Sequence, residues 1–167
     1  MLLLFIFSQA LSNFEEDIYT AISEDLQVKP VNYVMQGIDF VSYPAFDVVS
    51  PTVFYICNKR DVAKHGFIGF IGNCLTVFPL KYAINRQRPI EEHGRWNSSF
   101  PSGHTSFCFT QVVVYSHHYP KYTLPLYLYA TIVGFSRIYL EKHYPTDVLG
   151  GAALGISVGV LTLKIFK

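Results

Sequence analysis

The feature that most limits this chain is the row of long apolar runs filling it from residue 37 to residue 165, interrupted only where charges and prolines gather. A helix needs about 20 mostly apolar residues to cross the hydrocarbon core of a bilayer, and it must satisfy its own backbone there. The interruptions leave five candidate spans, at 37–57, 65–84, 103–119, 123–140 and 146–165, of which the second and last are the clearest. The first carries Asp39, Pro44, Asp47 and Pro51. An acid at membrane depth faces the bundle interior or marks a functional path, and an interfacial or bundle-facing place is expected for both aspartates. Gly151, Gly155 and Gly159 recur at four-residue spacing in the last span, a smooth stripe that lets another helix approach closely. The expected fold is all-α: a polytopic membrane helix bundle with about five spanning helices.

Two readings stay open for the N-terminus. Met1 to Phe14 is too short to span. It reads either as a signal peptide with a small-x-small site at Ala10-Leu11-Ser12, although no Lys or Arg precedes it, or as the start of a longer amphipathic helix. In the second case Leu11, Phe14, Ile18, Ala21, Ile22 and Leu26 recur at helical spacing opposite Glu15, Glu16, Asp17, Glu24 and Asp25, and the helix lies in the membrane surface. A single domain is expected over 1–167, with 1–30 as the short apolar run and interfacial helix and 37–165 as the bundle.

Composition excludes some partners. Charged residues make up 15% of the chain and the formal net charge is +1, so no surplus of positive charge exists to neutralise a nucleic-acid backbone. Cys57, Cys74 and Cys108 are odd in number and sit in apolar runs, which reads as small buried hydrophobes rather than disulfides or zinc ligands. Lys59, Arg60, Lys64, Lys121, Lys164 and Lys167 share one side and would mark it as cytoplasmic. Lys29, Lys81, Arg86, Arg88, Arg95, Arg137 and Lys142 fall on the other, so the bias points inward only if Lys81, Arg88 and Arg137 are set aside as functional.

Three polar clusters fall on that second side: Lys81 to Pro89, Pro101 to His104, and Ser136 to Asp147. Each alone reads as a snorkelling rim. Together, with five crossings, they come to one surface and supply fixed donors and positive charge of the kind phosphoryl transfer needs. Arg88 and Arg137 offer planar forks for an oxyanion and Lys81 a compact third charge. Ser102 and Gly103 open a helix whose first N–H groups are unpaired and face an anion. Asp147, four residues after His143, can hold one ring nitrogen and leave the other as a nucleophile, with His104 as general acid and then base. A histidine metal site drawn from His93, His104, His117, His118 and His143 lacks ligand spacing, since His117 and His118 belong to the other side; neither metal nor cofactor is expected.

Lys81, six residues, Arg88-Pro89; Pro101-Ser102-Gly103-His104; Ser136-Arg137, five residues, His143, three residues, Asp147: this three-part pattern resembles the signature of the type 2 phosphatidic acid phosphatase superfamily at all eleven specified positions. The resemblance spans residues 81 to 147 and implies that His143 is the nucleophile, Asp147 its orienting acid and His104 the residue serving the leaving group. It assigns phosphate binding to Lys81, Arg88, Ser102, Gly103 and Arg137. Long apolar runs on both sides of the motifs favour the membrane branch over its soluble phosphatases and vanadate-binding haloperoxidases. Many bacterial relatives carry a complete span ahead of the amphipathic region, for which Met1 to Phe14 reads as too short, so the expected helix count is five or six.

The implied activity is dephosphorylation of a lipid through a phosphohistidine, with lipid A 1-phosphate preferred and undecaprenyl pyrophosphate or phosphatidylglycerol phosphate as alternatives. The implied setting is a bacterial inner membrane, with the site facing the periplasm. Transfer to an acceptor other than water shares the covalent step and stays open. An anion transporter is the reading from another class, and the gathering of charge at one surface without an internal repeat argues against it.

Overall fold

Prolines, a left-handed asparagine and short polar loops cut the chain into helical rods close to the predicted bounds. The computed structural model describes residues 2–90 and 94–166, without the side chains of 2–8, 11 and 43–45. Helix α1 (Leu2–Thr20) runs on through a wide π turn at Ala21–Asp25. Phe14 on α1 and Leu26 just beyond the π turn are exposed.

The first candidate span starts earlier than expected, at Lys29. It consists of α2 (Lys29–Phe40), a nine-residue π-helix (Val41–Val49) and α3 (Ser50–Ile56). Pro44 and Pro51 donate no backbone hydrogen bond, so the regular ladder cannot run through them and wider turns take its place. Helix α4 (Arg60–Ile84) ends where Asn85 adopts φ 50°, a left-handed cap. Then come α5 (Gly103–His118), α6 (Thr123–Tyr139) and α7 (Pro145–Ile165), with short 3-10 turns at Arg95–Asn97 and Pro120–Tyr122. Pro145 begins α7 with its φ already helical, and the Asp147 carboxylate accepts the Tyr144 N–H at 2.9 Å to close the first turn.

Helix α5 is the axle, packed against α4, α6 and α7. The glycine stripe is what admits it: a Cβ on Gly151 would come within 2.5 Å of the Ser102 carbonyl, one on Gly155 would strike the Ser106 carbonyl, and one on Gly159 would meet Val113 at 2.8 Å. Polar side chains bind α5 to α4 and to α7. Ser106 donates to Asn73 at 2.6 Å, Thr110 to the Gly155 carbonyl at 2.8 Å and Gln111 to the Gly66 carbonyl at 3.0 Å. At the end away from the polar clusters, His65 Nε2 donates to the Phe166 carbonyl at 2.7 Å, and its Nδ1 meets His118 Nε2 at 2.9 Å, which ties α4, α5 and α7 together.

Burial is inverted relative to a water-soluble domain. Ser106, Thr105, Thr110, Asn73 and Asp47 are fully enclosed, while Leu75, Leu124 and Leu149 are about 70% exposed (71%, 71% and 69%). Such a surface suits lipid rather than water. Among the described residues, two helices, Arg60–Ile84 and Pro145–Ile165, are long and apolar enough to cross a membrane. α5 (16 residues) and α6 (17 residues) are shorter, and α5 is packed against α4, α6 and α7, where its buried polar side chains find partners.

Candidate active site

The C-terminal ends of α4 and α6 meet the N-terminal ends of α5 and α7, as expected from alternating crossings. The Ser102 N–H donates to the Asp147 carbonyl at 2.9 Å and the His143 N–H to the Arg137 carbonyl at 3.1 Å, so the second and third polar clusters share one backbone network, and the Ser99 N–H ties the first to the loop before α5 by donating to the Arg86 carbonyl at 2.8 Å. Between them lies a cavity of about 170 Å³. Lys81, Arg88, Gly103, His104 and His143 line it together with the apolar Val77, Phe78, Trp96 and Phe107. Five of the eight sequence-predicted residues thus line one space. Ser102, Arg137 and Asp147 stand behind that lining.

Each polar group is held. Lys81 donates to the Ser98 carbonyl. Arg88 is braced by Asn97, through the carbonyl at 3.1 Å and Oδ1 at 2.7 Å, and by the Lys142 carbonyl at 3.2 Å. Ser102, the residue before α5, is fully buried with its hydroxyl 2.9 Å from that of Thr105. At Gly103 a Cβ would lie 3.8 Å from Lys81 and Val77, so protein packing does not demand glycine there; a side chain would instead take up cavity space. The ring of His143 is 1% exposed, and burial, reinforced by the charges of Arg137, Arg88 and Lys81 against the pull of Asp147, pushes its pKa down to about 3. A neutral imidazole is therefore the resting form. Its Nδ1 stands 3.7 Å from Asp147 Oδ2, beyond direct hydrogen-bond length.

Several contributors were not foreseen. Asp39, expected at an interface or facing the bundle, reaches into the cationic cluster. It pairs with Arg137, meets Lys142 at 2.8 Å and lies 3.6 Å from His104 Nε2. An acid inside an apolar segment was the available signal, and only its partner was unknown. Arg86, hidden in the six-residue gap of the first motif, donates to Asp147 Oδ1 at 2.7 Å, and Ser99 donates to Oδ2. Asp47 is fully enclosed in the bundle, as the bundle-facing reading had it. Trp96 lines the cavity and packs on Tyr82 with ring centres 4.7 Å apart. His93 lies outside the described residues; His117 and His118 sit at the far end of α5.

The chain resembles proteins of known architecture over most of its length. The crystal structure of Aquifex aeolicus LpxE superposes with a TM-score of 0.79 and 26% identity, covering 89% of this chain and 93% of that one. A transmembrane PAP2-type phosphatidylglycerolphosphate phosphatase from Bacillus subtilis gives 0.76 and 26%, over 94% and 86%. A lipid A 1-phosphatase from Porphyromonas gingivalis is 40% identical over 85 residues, which is 48% of this chain but 18% of that protein, so the match is to a small part of the relative. Residues 61–167 match the PAP2 superfamily, and with the three motifs gathered at one cavity in a fold shared with its membrane members, the chain belongs to that superfamily.

Proposed function

We propose that this chain is a metal-independent lipid phosphate phosphohydrolase, one membrane-embedded domain of five spanning helices, that works through a phosphohistidine on His143. The observation that carries this reading is the mixed lining of one cavity: Lys81, Arg88, His104 and His143 together with Val77, Phe78, Trp96 and Phe107 fit a phosphate joined to an apolar body.

In the first half-reaction the neutral His143 ring attacks phosphorus, the bond from phosphorus to the lipid oxygen breaks, and His104 gives its proton to that oxygen. Asp147 keeps the far ring nitrogen protonated and aimed, closing the 3.7 Å gap when the phosphate is in place. Lys81, Arg88 and Arg137, with the α5 N-terminal N–H groups behind Ser102 and Gly103, balance the charge spreading over the equatorial oxygens. In the second half, His104 takes a proton from water, the resulting hydroxide attacks phosphorus, and orthophosphate leaves as His143 is regenerated.

Lipid A 1-phosphate is the preferred substrate, supported by the sequence likeness to a lipid A 1-phosphatase. Phosphatidylglycerol phosphate is the second reading, favoured by the structural likeness to the Bacillus subtilis enzyme. With Lys59, Arg60, Lys64, Lys121 and Lys164 on the cytoplasmic side, the cavity faces the periplasm of a bacterial inner membrane. Orthophosphate release from purified lipid phosphates, undecaprenyl pyrophosphate included, tests the assignment. The wild-type chain should turn over at least one and accumulate an acid-labile phosphoenzyme. A folded His143→Ala protein should do neither, and near-normal hydrolysis by that variant would refute the nucleophile.

A further inference from the structure

The acid behind the nucleophile is itself held from outside the cavity. Asp147 is fully buried. Its Oδ2 accepts from the Tyr144 N–H at 2.9 Å and from Ser99, and its Oδ1 accepts from Arg86 Nη1 at 2.7 Å. The same Nη1 reaches Thr146 Oγ1 at 2.6 Å, and the guanidinium lies 4.4 Å over the Tyr144 ring. The other fork of Arg86 turns the opposite way and donates from Nη2 to Glu15 Oε2 at 2.7 Å. Glu15 also accepts the Thr146 N–H at 3.1 Å and the Thr146 hydroxyl. A carboxylate–guanidinium–carboxylate chain therefore runs from α1, which precedes the family match, to the turn that carries His143 and Asp147.

That chain bears on geometry. With Oδ2 already fixed by two donors, the rotation of the Asp147 carboxylate, and so the direction of the lone pair facing His143 Nδ1, is decided by what holds Oδ1. Arg86 alone holds it among the contacts observed in the described residues. A guanidinium is suited to the task because its planar fork can point one nitrogen at Asp147 and another at Glu15 without choosing between them, which a lysine cannot do.

We propose that Arg86, clamped by Glu15, is a positioning residue that sets the Asp147 carboxylate against the His143 ring, so that seating the N-terminal interfacial helix and aiming the nucleophile are a single event. This rests on the phosphohistidine reading above. A merely structural tie would alter melting temperature and leave the pH profile in place. A positioning role moves the profile, because His143 is faced by Arg137 on α6, Lys81 on α4, Arg88 in the loop beyond it and Asp147 on α7. Removing Arg86 leaves the Asp147 charge less balanced, so His143 protonates at higher pH.

The test uses the full chain in lipid-detergent micelles with whichever lipid phosphate the wild type turns over. Arg86→Gln should lower kcat about tenfold to a hundredfold, as when the outer partner of a held imidazole is removed, and change KM less than about threefold. The acid limb of kcat/KM should rise by about one pH unit. Arg86→Lys should recover only part of kcat. Glu15→Gln should cost about fivefold in the wild-type background and nothing further in Arg86→Gln. Vanadate affinity within about threefold of wild type would show that the cavity survives in each variant. Wild-type kcat and pH profile in a folded Arg86→Gln protein would overturn the proposal, as would an equal cost of Glu15→Gln in both backgrounds. If Arg86→Gln does not fold, an unchanged kcat and profile in Glu15→Gln overturns it instead. A wild type that releases no orthophosphate sinks the parent reading and this one together; an active wild type with indifferent variants sinks this one alone.

Discussion

Acidification should leave the nucleophile working where an ordinary histidine would have failed. With its pKa pushed down to about 3, chiefly by burial, His143 is still ~99% neutral at pH 5, whereas an imidazole at the usual ~6.5 would be only ~3% neutral, a difference of about 30-fold in active nucleophile. The assay is kcat/KM for orthophosphate release between pH 4 and 8, with each rate divided by the dianion fraction of the substrate, whose second ionisation near pH 6 otherwise adds its own limb. An acid limb near pH 6.5 in the corrected profile would refute the buried neutral ring. The same ring acts on stability. Its folded pKa is below the unfolded one, so its contribution is fully present above about pH 6.5 and is lost as pH falls toward 3, with ~2 kcal/mol gone by pH 5. His143→Gln should flatten that part of the stability curve in a detergent-based unfolding series.

Asp39→Asn should tighten vanadate inhibition by about tenfold. The Asp39 carboxylate pairs with Arg137 and lies 3.6 Å from His104, where it repels an arriving oxyanion by up to ~4 kcal/mol at close range, discounted to ~1–2 kcal/mol because the side chain is 18% exposed. Unchanged or weaker inhibition would count against an acid that opposes the substrate's charge. Gly155→Leu should lower the melting temperature by several degrees or prevent folding, because any side chain there strikes the Ser106 carbonyl; a folded variant at wild-type stability would contradict the α5–α7 seam. Incubation with a chelator should leave turnover unchanged, since Lys81, Arg88 and Arg137 supply the positive charge. Loss restored by one divalent ion would reopen the metal reading.

Much of this molecule was legible in one dimension. Proline and charge spacing marked the rods because helices obey local rules: α4, α5, α6 and α7 lie close to their expected bounds, and the first candidate span, which carries Pro44, is the one broken by a π-helix where the backbone donor is missing. The glycine stripe announced a close helix neighbour and the motifs announced helix ends that converge. Length and hydropathy did not show how many rods meet lipid, because that depends on what surrounds each one, and α5 is surrounded by protein.

The sequence by itself determined which residues stand at which helix end, since rise and periodicity are properties of the local backbone. Which carboxylate answers which cation was decided only in three dimensions. Asp39 rather than open solvent meets Arg137, and Glu15, distant along the chain, reaches Asp147 through Arg86, because the tilts and rotations of packed helices are set by contacts between segments far apart in sequence.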